Sequence, residues 1–435
     1  MTSTADPLLS AFAQRFAALD NAALGYAARQ RAWQNFQQAG LPGPKTEAYK
    51  YTPITKMLSS TLGNEVLGAP AAPLLAAAIE ATRIPALDAY AIVLHNGRLS
   101  STSLQSANLP ATLQVMTFAE AYQRQGAALL PEAAHYAEGF AALNAALFDQ
   151  GILIRLADNT VLDKPLVIYH FADAQAQQPM AFPRIAVVGG KNSQASILTV
   201  WDTLGKGTVW TNALTEVSLA ANAHLDYYTL QLQPGPQAHY ITNTLCQQGP
   251  QSVLNAYTFT WGGALVRNNL HMAVNASHTE TNMYGLYCLQ GKQHVDNHTQ
   301  VDHRYPHTNS LELYKGVVTD QATGVFNGSI YVQQAAQKTH AFQTNNNWVL
   351  SDEAKVYTKP QLEIWADDVK CSHGATTGQL DPEQLFYLRA RGLPAATARQ
   401  LLLQAFAREV LDKVSLPPLQ AYLQAQLATC LQAMH

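Results

Sequence analysis

The segment DDVKCSHGAT, residues 367–376, brings together residue types that bind soft metals. Cys371 and His373 are separated by one residue, so in an extended segment both side chains point to the same face. They could supply two ligands to a soft metal or a metal cluster, and the other ligands would then come from elsewhere in the chain or from a second protein. The residues alone favour the plainer interpretation, a buried cysteine beside a hydrogen-bonded histidine.

A second concentration of possible ligands lies in HVDNHTQVDHRYPH, residues 294–307. It contains four imidazoles, those of His294, His298, His303 and His307, a density that would suit zinc. Their spacings of four, five and four residues do not keep all four side chains on one face of a strand. We therefore predict structural roles in turns and strand ladders, and a self-contained zinc-binding protein remains an alternative.

The composition predicts a globular protein without a charged recognition surface. Hydrophobic residues make up 48% of the 435 residues, charged residues only 13%, and the net charge is −3, so we expect no nucleic-acid or membrane partner. The sequence has no P-loop, no G-x-G-x-x-G and no G-x-S-x-G motif, which predicts no ATP site in this chain. Scattered cysteines, no long apolar run and no leader-like N-terminus together predict a cytoplasmic protein.

Three regions differ in their sequence pattern. Residues 1–148 are Ala-rich and place apolar residues at helical spacing. From 149 to 378, short runs rich in Val, Ile, Tyr and Thr follow one another, which predicts a sandwich, a barrel or a β-solenoid. The segment TNNNW, residues 344–348, is interpreted as an Asn-rich turn of the kind that suits a solenoid. Residues 379–435 return to helical patterns.

The C-terminal region contains two predicted helices. In LDPEQLFYLRARG, Asp381 is the predicted N-cap, Pro382 takes the first helical position, Gln384 completes a capping box and Gly392 ends the helix. In the next helix apolar residues recur every four positions, at Leu402, Phe406, Val410 and Val414. This amphipathic face needs a partner surface. The partner is either the chain's own domain, which the pattern favours, or another protein.

The segment at residues 359–393, KPQLEIWADDVKCSHGATTGQLDPEQLFYLRARGL, closely resembles the C-terminal signature of SufD, a family of subunits of the Suf iron–sulfur cluster assembly scaffold. Supporting matches are TEAYKYTPI (46–54), LELYKGVV (311–318) and the stretch from GVFNGSIYV to TNNNWVL (324–350). The resemblance implies an N-terminal mainly helical domain at 1–148, a right-handed parallel β-helix core at 149–378 and a C-terminal helical domain at 379–435.

The resemblance also implies a function and its partners. It implies a non-catalytic scaffold subunit that pairs with the paralogue SufB and binds the ATPase SufC, so that a nascent iron–sulfur cluster forms at the SufB–SufD interface. Sulfur would arrive from a donor through the complex, and a reduced flavin is associated with the family complex, although this sequence shows no flavin site. An exposed β-helix edge would let the isolated chain form a homodimer.

Site residues carry over from the same motifs. His373 is implied to face a SufB cysteine and to act as a metal ligand of the nascent cluster, with a neutral imidazole nitrogen suited to iron. Cys371 matches the accompanying family cysteine. The helices at about 381–414 match the SufC-docking region, for which we predict contacts through Asp381, Phe386, Tyr387, Arg391, Leu402 and Phe406.

An enzyme is the remaining alternative. β-Helix enzymes that act on polysaccharides use carboxylates, and Asp367 and Asp368 would be the working groups here. Neighbouring acids on a strand point to opposite faces, however, and such enzymes are usually secreted.

Overall fold

The computed structural model describes residues 7–434 except 21–24, 44, 62–74, 126–137, 175–179, 206, 233–234 and 236. The helices of the described chain precede and follow a long run of strands. They are α1 (Pro7–Ala17), α2 (Tyr26–Ala39), α3 (Ile54–Thr61), α4 (Leu75–Thr82), α5 (Ser101–Ser106), α6 (Phe118–Gln125), α7 (Gly139–Leu147), α8 (Pro382–Ala390), α9 (Ala395–Leu411) and α10 (Pro417–Gln432). None of them is long and apolar enough to span a membrane.

The strands of the described chain are short and closely spaced. They are β1 (Tyr90–His95), β2 (Arg98–Leu99), β3 (Leu113–Thr117), β4 (Ile152–Leu156), β5 (Leu166–Asp173), β6 (Met180–Ala181), β7 (Arg184–Gly189), β8 (Gln194–Leu204), β9 (Val209–Leu219), β10 (His224–Gln231), β11 (Ala238–Gln248), β12 (Val253–Thr260), β13 (Leu265–Val274), β14 (Glu280–Leu289), β15 (His294–His303), β16 (Asn309–Val318), β17 (Thr323–Val332), β18 (His340–Val349), β19 (Lys355–Ile364) and β20 (Lys370–Gly378).

These strands wind into a parallel β-solenoid with two sheets. Sheet 1 has the order β2-β1-β5-β8-β10-β12-β14-β16-β18-β20, and sheet 2 the order β19-β17-β15-β13-β11-β9-β7-β4-β3. From β7 onward the chain alternates between the sheets, so each strand pairs in parallel with the strand one coil later. Residues 224, 253, 280, 309, 340 and 370 align in this way, which gives coils of about 30 residues. The predicted parallel β-helix with flanking helices is confirmed.

The two ends of the solenoid differ. At the N-terminal end β2 and β3 close the sheets by antiparallel pairing with β1 and β4. Since β1, β2 and β3 precede residue 149, both sheets extend into the N-terminal region. At the C-terminal end β20 pairs with β18 and β19 pairs with β17 in parallel, and no further described strand pairs with either. Domain boundaries at 148 and 378 stay predictions.

Side chains alternate between the lumen and the outer faces of the sheets. The lumen is apolar over most of its length, with residues such as Ile197, Leu225 and Val266 in one buried cluster. Near its C-terminal end it becomes polar. TNNNW lies here within β18, so its interpretation as a turn is wrong: Asn345 and Asn347 face the lumen, and the Asn347 amide donates to Asn345 over 2.7 Å. The side-chain hydrogen bonds of asparagines in a coil can be formed within strands as well as in turns.

Helices cover the outer faces of both sheets. Of the N-terminal helices, α1, α2, α3, α6 and α7 lie on sheet 2, where every residue of α7 is buried, whereas α4 packs on sheet 1. Helices α9 and α10 lie on sheet 1 and pack Leu403, Val410, Leu419 and Leu423 against it. Helix α8, in contrast, buries none of its residues. The covered faces explain why the strands read as nearly continuous apolar runs.

A buried arginine fastens the segment TEAYKYTPI to sheet 2. Nη1 of Arg267 donates to the carbonyl of Ala48 over 2.9 Å and to the carboxylate of Asp296. The Arg267 guanidinium lies 3.7 Å from the centre of the Tyr49 ring. Thr52 completes the junction by donating to Asp296 over 2.6 Å. This segment therefore has a structural role, which accounts for its distinctive sequence.

Candidate functional site

The open end of the solenoid exposes the strand that carries the Cys-x-His pair. Strand β20 is solvent-exposed along almost its whole length, whereas its neighbour β18 alternates between buried and accessible residues. An edge strand leaves half of its backbone N–H and C=O groups unpaired, and such groups can bond to another chain. This edge is therefore a possible interface.

The register identifies which backbone groups of β20 are free. The N–H of Lys370 donates to the carbonyl of Thr339 over 2.9 Å. In a parallel sheet a residue directs both backbone groups toward one neighbouring strand, and the next residue directs them to the other side. Residues 370, 372, 374 and 376 thus bond to β18. The backbone N–H and C=O groups of residues 371, 373, 375 and 377 are directed away from β18, and these residues include Cys371 and His373.

Strand β19, the edge of sheet 2, is less suited to pairing. The N–H of Lys355 donates to Ala322 over 2.9 Å, so odd-numbered residues of β19 face β17 and even-numbered residues face outward. Pro360 falls at an outward position, where it has no N–H to offer. Proline in the run KPQLEIW was a signal for an edge strand that the sequence interpretation did not use. Of the two edges at the open end, β20 is therefore the better suited to pairing.

The side chains of Cys371 and His373 lie together on the lumen face at this open mouth. They are in register with Ala341 and Gln343 of β18. Cys371 is half-buried against the cluster that includes Ile330, and His373 is exposed. Burial raises the pKa of the Cys371 thiol, and this effect outweighs that of a hydrogen bond from the Ala341 N–H, which acts in the opposite direction. The predicted pair thus forms one thiol and one accessible imidazole on one face.

Two donors are too few to hold a metal ion or a cluster by themselves. Across the described residues, no group of three or more His, Cys, Asp or Glu side chains could hold a metal ion. Two donors on an unpaired edge strand can complete a cluster site only if another chain adds ligands.

Asp367 and Asp368, the two carboxylates of the enzyme alternative, adjoin the start of β20. They lie in the bend before β20 rather than on a strand. The carboxylate of Asp368 pairs with Lys338, and its carbonyl accepts the Lys338 N–H over 2.7 Å. These contacts give Asp368 a structural role in joining two successive coils.

Two histidines of the 294–307 segment face the N-terminal region. Nε2 of His294 lies 3.0 Å from the Thr52 hydroxyl, and Nδ1 of His298 lies 3.2 Å from Nη2 of Arg267. Burial lowers the pKa of both, that of His298 to about 4. Each imidazole therefore takes part in the Arg267 junction.

The other two histidines point elsewhere. His303 is buried in the lumen, 2.8 Å from the Thr308 hydroxyl and 2.9 Å from the Ser310 hydroxyl, and burial lowers its pKa to about 4. His307 lies in a turn and stacks on His278 at 5.1 Å between ring centres. The four imidazoles do not converge, so the structure gives the zinc alternative no support.

Helix α8 presents an aromatic surface. Asp381 caps it as predicted, accepting from the N–H of Glu383 over 2.8 Å. Phe386 and Tyr387 are 72% and 58% exposed, and they line an open cleft of about 810 Å³ together with Leu402 of α9. The guanidinium of Arg391 lies 5.1 Å from the centre of the Tyr387 ring. Five of the six predicted docking residues are thus on or beside one exposed surface.

Phe406, the sixth, packs against sheet 1 instead. Its ring stacks on Trp348 at 4.4 Å, and its carbonyl accepts from Lys315 over 3.0 Å. The row of buried residues runs through Leu403, Ala407 and Val410 rather than through Leu402 and Phe406. A strict four-residue spacing drifts by about 40° per step around a helix with 3.6 residues per turn. A role of Phe406 in binding a partner stays a prediction.

Comparisons with known proteins agree with this architecture. The family model described as SUF system FeS cluster assembly, SufBD core domain, matches residues 171–406, and the SufBD protein N-terminal region matches residues 5–168. The chain is 32% identical to an iron–sulfur cluster assembly SufBD family protein of Synechocystis, over 92% of this chain and 90% of that protein. It is also 32% identical to the iron–sulfur cluster assembly protein SufD of Escherichia coli, over 88% of each chain. The chain belongs to the SufBD family of iron–sulfur cluster assembly proteins.

Proposed function

We propose that this chain is a non-catalytic scaffold subunit whose open solenoid end pairs with the paralogue SufB. One observation carries the proposal: the outward backbone groups of β20 belong to the residues whose side chains, Cys371 and His373, line the mouth of the lumen. A partner strand that bonds to this edge would bring its own side chains to the same mouth. Pairing and completion of the ligand set would then be one event.

The nascent iron–sulfur cluster is the cargo of this interface. His373 would supply a neutral imidazole nitrogen, a borderline ligand, and the partner would supply thiolate. Cys371 would lie beside it on the same face. Pairing would also remove water from the mouth, which protects a forming cluster. The sulfur donor and the reduced flavin would act through the complex, since none of the features described above assigns them a site in this chain.

We further propose that α8 binds the ATPase SufC. The cleft formed by Phe386, Tyr387 and Leu402 exposes aromatic surface of the kind that anchors protein partners. Phe406 connects α9 to β16 and β18 through Lys315 and Trp348. Movement of the docked ATPase could therefore be transmitted to β16 and β18, the two strands that precede β20 in sheet 1. Such coupling would shift the population of open and closed interfaces.

Co-expression tests the pairing. The tagged chain would be expressed with SufB-like and SufC-like proteins of its organism, and the mass of the eluted complex measured by light scattering. We expect one species with one SufB, two SufC and one copy of this chain, and a homodimer when the chain is expressed alone, both in the cytoplasm. If the chain elutes without its well-expressed partners, the pairing proposal is wrong.

Substitution tests the role of His373 within that complex. His373→Ala should leave the complex assembled and lower its content of iron and acid-labile sulfide several-fold. Thr377→Ala is the matched control, because Thr377 lies on the same face of β20 but has no ligand chemistry. Equal cluster content in both variants would remove His373 from the mechanism.

A further inference from the structure

A buried polar column leads along sheet 1 to His373. Glu312 of β16, Gln343 of β18 and His373 of β20 occupy the same register position on three adjacent strands. Their side chains therefore share the lumen face, with strands about 4.8 Å apart. Glu312 and Gln343 are both 1% exposed, whereas His373 is exposed. The column thus connects the protein interior to the accessible imidazole.

The Gln343 amide has a defined orientation. Its Nε2 donates to Oε2 of Glu312 over 2.5 Å. A primary amide directs its N–H donors and its carbonyl acceptor in different directions, so the bond to Glu312 leaves Oε1 for another donor. Oε1 of Gln343 is buried and has no hydrogen-bond partner among the described residues. An unpaired buried carbonyl is unfavourable, and the neighbouring strand carries an imidazole at this position.

Gly328 makes room for this amide. It lies in β17, on the opposite wall of the lumen, and a Cβ atom added there would be 2.2 Å from Nε2 of Gln343. The backbone of Gly328 therefore confines the amide. Any larger residue at 328 would have to displace Gln343.

We propose that Gln343 is a positioning residue for His373. When the exposed His373 ring turns toward β18, the unpaired Oε1 of Gln343 accepts a hydrogen bond from one ring N–H, and Glu312 holds the amide in the accepting orientation. Histidines that bind metals usually donate their other N–H to an acceptor, which fixes the tautomer and the ring direction. The second ring nitrogen of His373 is then left as the ligand atom. The functional value of this bond rests on the proposed role of His373, whereas the bond itself involves only residues of this chain.

Nitrogen NMR of the full-length chain tests the bond directly. With ¹⁵N-labelled histidine, the two ring-nitrogen shifts report the tautomer, and the signals of His373 are those lost in His373→Ala. At about pH 8 we expect the tautomer ratio to differ roughly fivefold from that of a free imidazole, as an accepted hydrogen bond would give. In Gln343→Met, which keeps a similar volume without the amide, the ratio should return to that of a free imidazole.

A second variant guards against loss of folding in the first. Gly328→Ala should displace the amide and abolish the same tautomer preference. Gly378→Ala in β20 is its control, because an added methyl group there meets nothing within 4 Å. A wild-type tautomer ratio in both Gln343→Met and Gly328→Ala overturns the positioning role.

The cluster content of the complete complex separates this proposal from the one on which it rests. We expect Gln343→Met to lower the cluster content several-fold, and His373→Ala to lower it at least as much. If His373→Ala leaves the cluster content unchanged while Gln343→Met still changes the tautomer ratio, the role of His373 is wrong and the hydrogen bond stands. If Gln343→Met changes the cluster content but not the tautomer ratio, the hydrogen bond is wrong.

Discussion

At the residue scale, the lumen controls the charge of the groups inside it. Burial lowers the pKa of His170 to about 3 and that of His303 to about 4, and it raises the pKa of Glu312 to about 7. Both kinds of shift favour the neutral form. The histidines lose stabilisation as the pH falls below their unfolded value near 6.5, because the unfolded chain then binds more protons. Glu312 has the opposite effect.

Glu312→Gln tests this opposite contribution. Because the folded pKa of Glu312 is about 7 and the ordinary value is 4.5, its stabilising contribution is present at low pH and is lost as the pH rises between these values. From about pH 5 to about pH 8, the free energy of unfolding should change in favour of the variant by roughly 2 kcal/mol relative to the wild type. Urea unfolding followed by circular dichroism at several pH values measures this.

The exposed Glu363 provides the control. Glu363→Gln removes one carboxylate from the surface and so controls for the change in net charge. A difference between Glu312→Gln and the wild type that stays constant over the same pH range would show that Glu312 is not held in a water-poor environment.

At the element scale, local sequence signals predicted local structure, and they failed where the structure of a segment depends on strands distant in the sequence. Asp381 and Pro382 predicted the start of α8 because capping involves only neighbouring residues. TNNNW could not be placed by its own composition, because only the surrounding coils make a lumen in which asparagines pair. The Cys-x-His face followed from alternation alone. Its exposure depends on β20 being the last strand, and the number of coils cannot be predicted from a local sequence pattern.

The Arg267 junction should dominate the attachment of the TEAYKYTPI segment. Arg267→Met leaves the Asp296 carboxylate buried without its cation, so we expect a loss of about 3–5 kcal/mol in the free energy of unfolding. Arg304→Met removes an ion pair with Asp302 in which the arginine side chain is 46% exposed, and should cost less than about 1 kcal/mol. Chemical unfolding of both variants provides the measurement, and equal losses would contradict the assignment.

Helix α8 should contribute to binding and not to folding. The double substitution Phe386→Ala with Tyr387→Ala removes exposed side chains, so the stability of the chain should change by less than about 0.5 kcal/mol. Retention of the SufC-like ATPase in co-purification should be lost. Leu401→Ala, which removes another exposed apolar side chain on α9, is the control. Retention of the ATPase by the double variant would place its docking site elsewhere.

At the scale of the whole molecule, alternate backbone N–H groups of β20 serve folding and association, so substitutions can test the two separately. Ala375→Pro removes an N–H that points outward, so the chain should keep its thermal stability and lose its ability to pair. Thr376→Pro removes an N–H that bonds to β18 and should lower the unfolding temperature by several degrees. Light scattering and thermal unfolding of both variants measure the two effects. Pairing by the Ala375→Pro variant would show that β20 is not the contact edge.

The difference between the two ends of the solenoid limits how many chains can assemble. Among the described strands, the antiparallel β2 and β3 end the sheets at the N-terminal end, and Pro360 makes β20 the better edge for pairing at the other. When two such open ends meet, each covers the other and no edge is left for a third chain. We therefore expect the protein to be monovalent for end-to-end association, so that it terminates a pair and does not propagate a fibre, despite its long parallel sheets.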